Sequence, residues 1–304
     1  MTKNIIPVGI ITGFTVATLV LPGGFDGYNF YLRPYHEFYP IPYWGYQLLS
    51  GFGQLSWPYS WMFLVLITSI VLWLSTTVFK TNFYLTICSL PVIINLWLGQ
   101  IEIISLVCVL LVYLILEKRI NQNFSFIPVL LGLLKPQVTG VILLFFLWEL
   151  FKADKKTFFI QNFVVLIFVG QTFIVEPAWF INWINWLKIY PTINQVPVFD
   201  YGILFLPLIF WPIKNLKHRL VLLSALSNLV FPFFRLYRAT IIIPLFPSLG
   251  ILSWLFWGDP IIFLLVVLFG VIGVDLWQRN MEFVKTPFVD YFGKLRILDL
   301  KIGE

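Results

Sequence analysis

Apolar residues recur along the chain in runs covering 5–21, 59–79, 83–98, 101–116, 126–134, 138–150, 157–175, 201–213, 219–233, 240–257 and 261–277. Short turns separate them and carry most of the Lys and Arg. Such runs predict helices, and several fall short of the roughly 20 residues that cross a bilayer upright, so tilt or helices that stop part-way are expected. The pattern predicts an all-α polytopic membrane protein, a bundle of about 9–11 membrane segments in a single integral membrane domain over 1–304. Residues 22–58 form its first non-cytoplasmic loop and 176–200 its second. A polar C-terminal tail covers 279–304.

Basic residues orient the segments. Lys3, Lys80, Lys118 with Arg119, the group Lys152, Lys155 and Lys156, and the group Lys214, Lys217 and Arg219 all fall in turns that the positive-inside bias places on the cytoplasmic side. Arg119 and Lys152 then need an even number of crossings between them, although 126–150 is too short for two full spans. The stretch "LLGLLKPQVTG" resolves this: proline lacks the N–H and clashes with the preceding turn, so the chain is expected to dip in, break at Lys135-Pro136-Gln137 and return. The competing reading is one Pro-kinked span with a snorkelling lysine. Counting crossings onward places the tail 279–304 outside, against the positive-inside preference.

Composition agrees with the pattern. The chain of 304 residues is 60% hydrophobic and 11% charged, and its mean hydropathy of +0.90 is outside the range of soluble domains. A long apolar run after Lys3 with no small-x-small cleavage site reads as a retained first helix. The net charge of +6 sits in interhelical turns, with no basic surface of interleaved stacking platforms, and this argues against nucleic-acid binding. Cys88 and Cys108 lie inside apolar segments and read as small buried hydrophobes. Neither a disulfide framework nor a metal site is implied: the only histidines, His36 and His218, fall on opposite sides of the membrane. The membrane is a bacterial plasma membrane or an endoplasmic reticulum, and Lys, Asn and Ile usage tilts toward the bacterial one.

The remaining polar groups converge on the non-cytoplasmic half. The first outer loop holds Asp26, Arg33, His36 and Glu37 among aromatics, and a carboxylate there suits a general base for a sugar hydroxyl while a nearby cation holds an anionic leaving group. Gln100 and Glu102 sit at the turn between two apolar segments, where a carboxylate is costly unless paired or functional. Glu102 and Lys135 are placed to neutralise each other. Arg235 and Arg238, three residues apart at an outer helix end, share one face and suit phosphate oxygens, or else snorkel to headgroups. Trp179, Trp183 and Trp186 predict an aromatic face on an interfacial helix that anchors to the outer leaflet or guides a lipid tail, with Asn182 and Asn185 beside it. Walker, GxGxxG, HExxH and GxSxG patterns are absent, which disfavours soluble-nucleotide and standard hydrolase chemistry.

"GQIEIISLVCVLLVYLILEKR" followed by "FIPVLLGLLKPQVTGVILLFFLWELFK" resembles the GQ and L-K-P-Q segments of glycosyltransferase family 87, the polyprenol-phosphate-mannose dependent mannosyltransferases of the GT-C superfamily. The loop from "FDGYNFYLRPY" to "FYPIPYWGYQLL" looks like that family's first outer loop, so the likeness covers roughly residues 20–150. It implies a GT-C-like fold and transfer from a polyprenyl-phosphate sugar to a glycan or lipid acceptor. No cofactor is implied beyond that lipid-linked co-substrate, and surrounding membrane lipids are the other expected partners. By the resemblance Asp26 carries over as base, and Lys135 meets the donor phosphate. From the residues' own chemistry rather than the resemblance, Arg33, Arg235 or Arg238 assists it, and Gln100, Glu102, Gln137 and His36 are the polar groups of the substrate groove. Two other readings stand beside this one. One is a non-catalytic GT-C-derived subunit of a larger membrane complex. The other is a lipid-phosphate transporter, which the lack of an inverted internal repeat disfavours.

Overall fold

A computed structural model describes residues 5–31, 41–189, 202–230 and 235–299. Helices are its regular secondary structure, with no strand among the described residues. In chain order they are α1 (Ile5–Ala17), α2 (Tyr43–Gly53), α3 (Tyr59–Phe79), α4 (Phe83–Ile87), α5 (Leu90–Leu98), α6 (Glu102–Leu116), α7 (Phe126–Gly132), α8 (Pro136–Ala153), α9 (Lys155–Val175), α10 (Trp179–Ile189), α11 (Leu216–Val230), α12 (Ser248–Leu255) and α13 (Pro260–Asp299). Short 3-10 stretches run over Gln122–Phe124, Ile203–Phe210 and Leu236–Ile241, the second where the sequence reads as an apolar segment. Four helices are long and apolar enough to cross a bilayer: α3, α8, α9 and the Pro260–Asn280 part of α13. The protein is therefore an all-α polytopic membrane protein, its long spans interleaved with shorter apolar helices such as α1 and α6.

Local chemistry sets the breaks. Asn82 caps α4 by accepting from Leu85 N, and Pro91 sits in the first turn of α5. The apolar run 83–98 is thus two helices, and Cys88 between them is exposed rather than buried, whereas Cys108 is buried. Pro136 likewise opens α8 at a position where its missing N–H is harmless. Across that break Thr139 Oγ1 donates to Gly132 O at 2.7 Å. Seven residues of unbroken helix would separate the two by about 10 Å, so the chain folds back on itself here. Gly132 packs against Leu143 and Cys108 so closely that a Cβ would lie 2.7 Å from Leu143 Cδ1.

The bundle has two chemically distinct ends. At one, Lys217 Nζ donates to Phe79 O beside Lys80, the Phe79 and Tyr113 rings meet at 5.1 Å, and Lys118–Asn123 share a groove with Asp154 and Thr157. This basic end gathers the turns that the positive-inside pattern groups together. At the other end Trp97 Nε1 donates to Pro22 O, Trp61 Nε1 donates to Leu96 O, and Lys135 meets Glu102. Arg119 and Lys152 therefore lie at the same end, with the break at Lys135 opposite, as the re-entrant reading requires.

The tail does not follow the crossing count. Arg279 donates to Pro212 O and pairs with Asp275 at 2.8 Å, so α13 brings the tail to the basic end. The reason is that 240–257 is bent rather than one span. From Arg235, the chain passes down the side of α5 and α4: Thr240 Oγ1 donates to Pro91 O at 3.1 Å, and Thr81 Oγ1 donates to Pro244 O at 2.7 Å. After Pro247 it turns back as α12, where Ser253 Oγ accepts from Leu90 N and Trp254 Nε1 donates to Cys88 O. One added reversal moves the tail to the other end.

Candidate functional site

Asp26 is positioned by glycine-mediated packing at the non-basic end. Gly24, at φ +72°, donates its N–H to Trp97 O at 2.7 Å, and Tyr28 N then donates to Gly24 O, closing the turn that carries Asp26. Opposite, Gly99 ends α5 in the left-handed conformation at φ +67°. Gln100 N reaches back to Asn95 O at 3.0 Å in the pattern of a Schellman cap, which releases the Gln100 side chain from the helix. The two turns touch: a Cβ on Gly27 would sit 3.0 Å from Gly99 O.

Gln100 bridges the carboxylate and the cation. Its Nε2 donates to Asp26 Oδ2 and its Oε1 accepts from Lys135 Nζ at 3.4 Å. Lys135, the residue that caps α8, also pairs with Glu102 Oε2 at 3.0 Å, with side-chain exposures of 6% and 0%. Glu102 opens α6, and the positive end of a helix dipole favours a carboxylate there. Arg235 lies within electrostatic reach of Asp26, and Arg238 within reach of Lys135. Burial raises the Asp26 carboxyl above its ordinary value; the Arg235 charge, the Gln100 hydrogen bond and Lys135 oppose this, and Glu102 adds to it.

The structure thus joins Asp26, Gln100, Glu102, Lys135, Arg235 and Arg238 in one cluster. Gln137 is buried on the first turn of α8, beside it in sequence. Arg33 and His36 lie outside the described residues. Arg235 and Arg238 differ from the expected outer helix end: Arg238 is buried within the 3-10 stretch and Arg235, half-buried, precedes it at the N-cap position. Arg235 enters the stretch in extended backbone at φ -125° and ψ 141°. The expected interfacial anchor is also different. Trp179 is buried, its ring 5.3 Å from Trp44 edge-on, and α10 turns Trp179 and Trp183 inward over Leu133 and Leu134 of the break. Phe180, Ile181 and Asn185 are exposed there.

Asn95 was not singled out from the sequence. It is buried one turn before Gln100, with neither side-chain atom partnered among the described residues. Its signal was a lone amide inside the apolar run "VIINLWL". Among the described residues no three His, Cys, Asp or Glu side chains gather as metal ligands. Fold and cluster define a class, a polytopic helical membrane protein with a cluster of titratable and polar side chains buried at its non-basic end. No protein-family model, curated protein or solved structure matches the chain.

Proposed function

We propose that this protein is an inverting membrane glycosyltransferase of the bacterial plasma membrane that moves a mannose-like sugar from a polyprenyl phosphate to a glycan or lipid acceptor on the non-cytoplasmic face. The observation that carries the reading is Gln100, hydrogen-bonded to Asp26 on one side and Lys135 on the other. It spaces a carboxylate from a cation, as a base and a leaving-group site must be spaced. Asp26 takes the proton of the acceptor hydroxyl, whose oxygen attacks the anomeric carbon from the face opposite the phosphate. As that bond forms, the sugar–phosphate bond breaks, and Lys135, Arg235 and Arg238 meet the charge developing on the released polyprenyl phosphate. A raised carboxyl pKa suits the base role. An apolar groove of about 190 Å³, lined by Phe14, Leu21, Trp61, Leu96 and Trp97, opens beside the Asp26 loop and supports a lipid-borne donor.

The test is Asp26→Asn in purified protein, assayed for transfer from a polyprenyl-phosphate sugar and, separately, for retention of the donor. Loss of transfer with donor binding intact is expected. Full activity would remove the base assignment. One observation favours a second reading, a non-catalytic subunit of a membrane complex: Lys135 is paired with Glu102 at 3.0 Å within the protein itself. That reading predicts an inert Asp26→Asn substitution and stable co-purification with partner proteins.

A further inference from the structure

A second polar site lies at the opposite end of the bundle. Lys118, Arg119 and Asn121–Asn123 of the α6–α7 turn face Asp154 and Thr157 of the α8–α9 turn across an open groove of about 500 Å³. We propose that this groove binds the headgroup of an anionic phospholipid from the leaflet at the basic end. The transferase chemistry makes no use of it, and the inference stands without that reading.

The groove is built to present cations. Lys118 ends α6 in the left-handed conformation at φ +57°, a position usually left to glycine. Its N–H donates to Ile115 O and Arg119 N donates to Leu114 O at 2.8 Å, locking both residues at the groove edge. Neither side chain is ion-paired among the described residues. The acidic residue in the lining is already engaged: Asp154 Oδ1 accepts from Thr157 N and Oδ2 from Thr157 Oγ1, at 3.1 and 2.6 Å, capping α9. Asn121 Oδ1 accepts from Asn123 N, which leaves its amide N–H groups to donate. Lys155 and Lys156 follow on the first turn of α9, exposed.

What selects a lipid over a free anion is the surface below the groove. Of the four spans α9 is the least covered, 17% buried against 39–50% for the others. From Thr157 the exposed residues Ile160, Val164 and Ile167 continue down one face of α9 for about 15 Å, a track for an acyl chain. Phe124 is exposed on the α7 side. Basic pockets between membrane helices on the positive side recognise anionic headgroups, each Lys or Arg weighing about fivefold in affinity.

The test uses the full chain, delipidated in neutral detergent and titrated with phosphatidylglycerol, phosphatidylcholine or inorganic phosphate while thermal unfolding is followed. Phosphatidylglycerol is expected to stabilise saturably, and the other two are not. Lys118→Gln/Arg119→Gln should weaken phosphatidylglycerol by about 30-fold and Arg119→Gln alone by about fivefold. A charge-matched control at the same end, Lys80→Gln/Lys214→Gln, should stay within twofold. Equal stabilisation by phosphatidylcholine would reduce the site to apolar adhesion, and equal stabilisation by phosphate would make it a free-anion site. An equal loss in the control would make it diffuse surface charge. Any of the three overturns the proposal.

Discussion

Replacing Lys135 by Met tests whether the ion pair at the chain break holds the cluster together. Lys135 Nζ stands 3.0 Å from Glu102 Oε2, with both side chains buried. At an effective dielectric near 20 two unit charges at that separation attract by about 5 kcal/mol, and desolvation of both offsets most of it. The net value of the pair is therefore small, but removing one partner strands the other: breaking a buried pair costs about 3–5 kcal/mol. Lys135→Met leaves the fully buried Glu102 carboxylate behind and belongs at the upper end of that range. Glu102→Gln leaves Lys135 with Gln100 and the Asp26 charge, and belongs at the lower end. The double variant removes both charges and should recover to within about 1 kcal/mol of the parent. The assay is a double-mutant cycle by denaturant unfolding in mixed micelles, followed by tryptophan fluorescence. A third of a typical stability is at stake in the single variant, so recovered expression of the double is a second readout. Strict additivity, or a Lys135→Met cost below about 1 kcal/mol, would refute the buried pair.

Other outcomes follow from the same geometry. Because the Asp26 carboxyl is raised by burial and held down by Arg235, the proposed transfer should fall on the acid side at a pH above that of an ordinary aspartate; Arg235→Gln should move that limb higher, and a rate profile of both proteins checks it. Gly99→Ala forces a left-handed alanine and sets its Cβ 3.2 Å from Gly24 Cα, which should cost about 1–2 kcal/mol in unfolding and displace the Asp26 turn, lowering activity further. Asp154 has its carboxyl lowered below its ordinary value of 3.8 by the Thr157 hydrogen bonds. That contribution is fully present above the ordinary value and is lost as pH falls through the lowered one. Thermal unfolding of Asp154→Asn across acid pH should lose this dependence while the cap itself persists.

The parts legible in the sequence are those where one residue's chemistry forces the backbone. Pro136 cannot continue a helix, and a lysine and a glutamate within apolar sequence each need a partner, so the break and the pair with Glu102 were both readable. The bend in 240–257 had its signal too, Pro244 and Pro247 three residues apart. An apolar run of eighteen residues masks it, because hydropathy reports what the environment is and not how often the chain crosses it. The tail's side depended on that one bend.

Arg238 and Trp179 were harder for a different reason. Periodicity assigns a face to a helix but not the neighbour that covers it, so three spaced tryptophans read equally as a membrane anchor or as a lid over Leu133 and Leu134. The 3-10 stretch around Arg238 is only six residues long, too short for a period of three to stand out from one of 3.6. Yet the same shortness explains its place. Backbone that departs from the regular α-helix is tolerated at membrane depth when packed in protein, and this 3-10 stretch is buried between α5 and α6. The arginine it carries is thereby held within electrostatic reach of Lys135, on a segment packed against two helices rather than facing lipid.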